Sequence, residues 1–111
     1  MARVEELSDR RRSPRVRSLR LVTLEPIGAG AKEVPIDVGR TLDVSGAGVR
    51  VETTRELAAG QDLELQIAAG DRLVSARGRT VHSETAGGLW VIGIAWVEIA
   101  AGDLAFLLES A

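Results

Sequence analysis

Between Gly48 and Thr53 the chain reads GVRVET, which puts Val49 and Val51 on one face and Arg50 and Glu52 on the other. That is the two-residue period of a half-buried strand. The alternation returns in Asp62 to Ala68, where Leu63, Leu65 and Ile67 share a face. It is weaker in Leu19 to Leu24 and in Pro35 to Asp43, and Gly39 is expected to interrupt the second of these. Arg72 to Ser83 is longer, with Leu73, Val74 and Val81 placed about a central Gly78. A glycine inside a strand marks a bulge or bend. Leu89 to Ile99, LWVIGIAWVEI, is the most apolar stretch, and its β-branched and aromatic content favours a strand over a buried helix. Glu25 to Glu33 is a loop by its proline and glycines, and Ser45 to Gly48 and Leu57 to Gly60 are turns. Gly102 to Ser110 carries Leu104, Ala105, Leu107 and Leu108 at helical spacing and predicts a short terminal helix. Six or so short antiparallel strands, with turns about every 8 to 12 residues, predict an all-β fold: a small closed or nearly closed barrel with a short C-terminal helix.

The length of 111 residues holds one domain. Apolar residues at 45% and charged residues at 27% give a globular balance. There is no cysteine, which excludes disulfides, thiolate metal sites and a cysteine nucleophile. The single histidine, His82, leaves no multi-histidine metal site and no catalytic triad. No apolar run reaches the roughly 18 residues of a membrane helix, and MARVEELSDRRR lacks the apolar core of a secretory signal. A cytoplasmic protein without catalytic machinery is expected.

The net charge of -2 hides an uneven distribution. Residues 1–20 hold seven arginines against three acids, so this segment is +4 and the remainder -6. A basic arm on an acidic body points to an anionic partner: phosphate, nucleic acid or an acidic protein surface. Within the arm, Asp9 to Arg17 reads DRRRSPRVR. Pro14 pushes Ser13 out of the helical region, so the arm is extended or turning. Arg11 and Arg15 then reach up to about 13 Å apart. Guanidinium forks pair with phosphate and with the O6/N7 edge of guanine, and they stack on bases. A solvated basic tail and a nucleic-acid-binding arm are the other readings of the same residues.

Asp43 to Gly48, DVSGAG, lies between two predicted strands. Read structurally it is a hairpin turn, with Asp and Ser capping backbone groups and Gly supplying unusual dihedrals. Read functionally, Asp43 accepts from a base N–H edge, Ser45 adds a hydroxyl, and Gly48 leaves room for a ligand.

Taken together, Arg11 to Arg15 match RxxxR and Asp43 to Gly48 match DxSxxG, in that order. At these residues the sequence resembles the PilZ domain family, bacterial receptors for the second messenger cyclic di-GMP. Gly93–Ile94–Ala95–Trp96–Val97–Glu98 is similar to that family's late strand. Trp96 stands there where phenylalanine is commoner and Ala95 where a charged residue is common. The resemblance implies a six-stranded antiparallel PilZ-like β-barrel over about 18–99, an arginine arm over 9–17 and a terminal helix over about 101–110; residues 1–8, with few apolar groups, are expected to form a flexible tail. It also implies that Arg11 and Arg15 take guanine and phosphate and that Asp43, Ser45 and Gly48 line a guanine. Arg10, just before the motif, would be a third contact, associated in the family with two intercalated ligand molecules. The chain would then be a cyclic di-GMP effector whose arm orders on binding and meets a separate protein partner, as a monomer or homodimer. Two alternatives are a small-barrel nucleic-acid-binding protein and a PilZ-like interaction module without ligand. An aromatic content of 3% offers the first few stacking platforms.

The other residues with chemical potential read as structural. His82 is expected to make a surface or turn contact near a strand end, and Trp90 to enter the core. Arg77 and Arg79 extend an anionic site or solvate a strand face. Glu52 and Glu56 lack the context of a glycosidase acid pair.

Overall fold

The computed structural model describes residues 2–3, 14–28 and 34–109. The strands are β1 (Ala2–Arg3), β2 (Val16–Arg17), β3 (Leu21–Pro26), β4 (Asp37–Val44), β5 (Gly48–Thr53), β6 (Asp62–Ala69), β7 (Arg72–Ala86) and β8 (Leu89–Ile99), followed by helix α1 (Ala101–Glu109). Six of them close a barrel in the order β3–β4–β5–β8–β7–β6 and back to β3, every pair antiparallel. Closure leaves these six without a free edge, which is how a small all-β domain avoids edge pairing. The expected six-stranded barrel with one short C-terminal helix is therefore what the chain forms. Outside the ring, β2 pairs with the end of β4 and β1 with the end of β8.

The alternation read from the sequence sorts the core. Val22, Leu24, Val51, Leu63, Leu65, Ile67 and Ile92 are at most 1% exposed and fill the interior. Burying each large side chain contributes about 1.5–3 kcal/mol relative to exposure. The helix adds Leu104 and Leu107 to this core. Arg72 fixes its position: the guanidinium lies 4.1 Å over the Phe106 ring and pairs with Asp103 at 3.5 Å, so the helix sits beside the β6–β7 turn. Among the described residues, no helix is long and apolar enough to cross a membrane.

Three local expectations change. Gly39 does not break β4; a β-carbon there would collide with the Glu52 carbonyl oxygen, so the glycine lets β4 and β5 approach. The long strand β7 continues to Ala86, because Gly87 and Gly88 take φ of +60° and +86° and close a tight hairpin into β8. Glu25 and Pro26, placed in a loop from their composition, extend β3 along β6.

Candidate functional site

The site is built by a bulge in β4. Thr41 faces the core opposite Val51, and a strict two-residue period would send Asp43 inward as well. The register shifts between Thr41 and Asp43, so one extra residue, Leu42, reverses the parity. Asp43 now lies opposite Arg50 on the outer face, while Val44 lies opposite Val49. The Leu42 carbonyl accepts from the Ser18 amide at 3.0 Å. Thr41 Oγ1 accepts from the Arg20 amide at 2.9 Å and donates to the Ser18 carbonyl. These bonds, with the Val16–Val44 and Arg17–Asp43 pairing, pin the end of the arginine arm across the bulge.

Arg15 therefore reaches Asp43. Its Nη1 donates to Asp43 Oδ1 at 2.9 Å. Arg50 donates from Nε to Oδ2 at 2.7 Å and from Nη2 to the same oxygen. Asp43 is 7% exposed, whereas the side chains of Arg15 and Arg50 are 57% and 40% exposed. Burial alone would raise the Asp43 pKa, but the hydrogen bonds and charges of Arg50 and Arg15 outweigh it and hold the carboxyl below its ordinary range. Arg50 is raised in turn, chiefly by its bond to Asp43.

The sign of the pH effect follows. A carboxyl whose pKa falls on folding stabilises the fold above its unfolded value of about 3.9, and the gain is lost as pH drops through its lower folded value. With partners this exposed, the gain is on the order of 1 kcal/mol. Wild type and Asp43→Asn should differ in urea midpoint by a constant amount above about pH 5, with the gap closing below pH 4. A gap unchanged down to pH 2.5 would contradict the ion-pair assignment.

The neighbouring turn has its own supports. The Ser45 amide donates to the Gly48 carbonyl at 2.9 Å, and the Ala47 amide donates to Ser45 Oγ at 3.2 Å. Buried Trp96 braces it from below: Nε1 donates to the Ser45 carbonyl at 3.1 Å, and its amide donates to the Ala47 carbonyl at 3.1 Å. So Ser45, not Asp43, caps the turn. At Gly48 a β-carbon would collide with the Ile94 carbonyl oxygen. The close approach this glycine allows is that of β8.

Arg15, Ser45, Gly48, Arg50, His82 and Gly93 line one cleft of about 170 Å³, with Asp43 at its rim through Arg15 and Arg50. Of the six site residues expected from the sequence, Arg15, Asp43, Ser45 and Gly48 come together here. Arg10 and Arg11 lie outside the described residues, as does most of the 1–8 tail. Arg50 and His82 were not foreseen at the site. The alternation of GVRVET put Arg50 on the outer face, but nothing local paired it with Asp43. His82 lies within β7, not at its end, opposite Gly93. Arg77 and Arg79 stand apart from the cleft, paired with Glu64 at 3.1 Å and Asp62 at 2.7 Å. Trp90 packs against the core, as its apolar surroundings predict.

The PilZ domain profile matches residues 9–110, and the chain belongs to the PilZ domain family. Comparison with curated protein sequences gives no match. Among solved structures, the chain is similar to the inhibitor of motility MotI/DgrA of Bacillus subtilis, with a TM-score of 0.73 and 18% identity over 87% of this chain. It spans 47% of that longer protein. It is also similar to the PilZ domain of YcgR from Escherichia coli, solved with c-di-GMP, at TM-score 0.69 and 13% identity over 91% of this chain and 90% of that one. A third likeness is to the PilZ domain of CeSA from a cellulose-synthesizing bacterium, at TM-score 0.62 and 15% identity over 87% and 93% of the two chains. At these identities the likeness is one of fold.

Proposed function

We propose that this chain is a cyclic di-GMP receptor of the bacterial cytoplasm, acting by binding rather than catalysis and signalling to a separate protein. The observation that carries the reading is the meeting of Arg15 and Asp43, 28 positions apart in sequence, beside a cleft that also takes Ser45 and Gly48. Family membership and the likeness to a PilZ domain solved with c-di-GMP support it.

The chemistry follows from the ion pairs. A carboxylate has about four lone-pair positions, and among the described residues Asp43 already accepts three N–H bonds. An incoming phosphodiester competes for Arg15, because a phosphate accepts the guanidinium fork bidentately. Once Arg15 turns to the phosphate, Asp43 Oδ1 is open to the N1–H and N2–H₂ donors of a guanine. Ser45 Oγ adds a hydroxyl at the same rim. Arg11 and Arg10 are assigned to the second phosphate or base by their place in the arm. Movement of Arg15 alters the surface where β2 crosses β4, and that surface is where the partner would read the bound state.

Parallel titrations with cyclic di-GMP and a random single-stranded oligonucleotide test the reading, with Arg15→Ala as the control. Saturable binding of the dinucleotide alone, weakened in Arg15→Ala by roughly 10- to 150-fold, is expected. Tighter binding of the oligonucleotide would instead favour a nucleic-acid-binding barrel.

A further inference from the structure

Asp43, Arg50, Gly93 and His82 form a single cross-strand row. Asp43 stands opposite Arg50 across β4 and β5, Arg50 opposite Gly93 across β5 and β8, and Gly93 opposite His82 across β8 and β7. Three strand spacings make the row about 14 Å long. Both of its ends are set by bulges. On β7 the register shifts between Thr80 and His82, so Thr80 is buried while His82, two residues on, is exposed. A regular strand would put both on the inner face. Among the register shifts of the described strands, these two break the inside–outside alternation at the ends of this row, and each brings one end of it to the same outer cleft.

The His82 ring lies over Gly93. A β-carbon at position 93 would stand 2.6 Å from His82 Cε1 and 2.9 Å from Nδ1, so the ring fills the space that a side chain there would take. His82 is the aromatic side chain among the residues lining the cleft. Its charged neighbours in the lining are Arg15 and Arg50, and Glu84 lies close enough to Arg50 to raise its pKa. A flat ring over the backbone, in the wall of a cleft that also holds two guanidinium groups, is the arrangement a planar base needs.

We propose that His82 is a base-stacking residue of this site, supporting a purine of the ligand at the opposite end of the row from the Asp43 carboxylate. This rests on the cyclic dinucleotide reading given above and adds an aromatic contact outside the RxxxR and DxSxxG residues. Gly93 is its positioning partner, because any side chain there displaces the imidazole.

Calorimetric titration of cyclic di-GMP into four proteins tests it: wild type, His82→Ala, His82→Phe and Gly93→Ala. His82→Ala should bind about tenfold more weakly or worse, within the range that loss of one base–aromatic stack gives. His82→Phe should stay within about threefold of wild type, since it keeps the ring and loses the nitrogens. Gly93→Ala should weaken binding severalfold when His82 is present and have no effect in a His82→Ala background. Binding by His82→Ala within twofold of wild type would overturn the proposal. So would a His82→Phe protein as weak as His82→Ala, because the contact would then be polar or ionic. Failure of wild type to bind would remove the receptor reading itself, a result distinct from wild-type binding that His82 variants leave untouched.

Discussion

Gly48→Ala is expected to lower folding stability by about 2–4 kcal/mol, seen as a lower urea midpoint at unchanged slope. The new β-carbon would collide with the Ile94 carbonyl oxygen and stand 3.1 Å from its carbonyl carbon and 3.2 Å from the Ala95 α-carbon. All three atoms are backbone, on the strand that pairs with β5, so no flexible side chain can yield. Relief requires β5 and β8 to separate at the point where Trp96 and Ser45 hold the turn together. The same substitution at Gly102 in α1 meets nothing within 4 Å. There alanine should raise stability by about 0.5–1 kcal/mol, the ordinary helix preference. Opposite signs from one chemical change isolate the strand contact as the cause. A wild-type midpoint for Gly48→Ala would show that the strands are not held this closely. The glycine of DxSxxG therefore acts first on the barrel, and weaker ligand binding in its variants should accompany weaker folding.

Asp43→Ala is expected to act in the opposite proportion, with a small effect on stability and a large one on selectivity. Arg15 and Arg50 are each about half exposed and can solvate once it is lost, so the stability cost is about 1 kcal/mol. A site that bound phosphate alone would gain from removing a carboxylate, which repels phosphate at short range. A site that reads guanine would lose. Guanine offers N1–H and N2–H₂ donors to a carboxylate, whereas adenine offers an acceptor at N1. Wild type should prefer cyclic di-GMP over cyclic di-AMP by roughly a hundredfold or more, given the cost of unpaired buried polar groups. Asp43→Ala should erode that ratio more than it weakens binding of either ligand's phosphates. Competition titrations with both dinucleotides measure it, and an unchanged ratio in the variant would defeat the guanine assignment.

Much of the barrel could be read in advance because its strands alternate. GVRVET and DLELQIA declare their inner faces residue by residue, and the packed core contains those residues. The site was half legible for the opposite reason. Its motifs announce Arg15, Asp43, Ser45 and Gly48, but their geometry depends on two places where the alternation fails. The bulge at Leu42 has no glycine or other local mark, so nothing in sequence says that Asp43 turns outward to meet Arg50. The bulge before His82 is equally silent, so His82 read as an isolated surface residue although it shares a row with Asp43. Gly48 was legible as a residue but not in its role. A glycine in a turn and a glycine under a neighbouring strand look alike until the strand order is known.

The central claim is that the cleft beside the Arg15–Asp43 pair receives cyclic di-GMP, and calorimetric titration of the full wild-type chain tests it most directly. The account predicts saturable binding with a defined stoichiometry of one or two dinucleotides per chain. A flat titration from a protein that still unfolds cooperatively would contradict it.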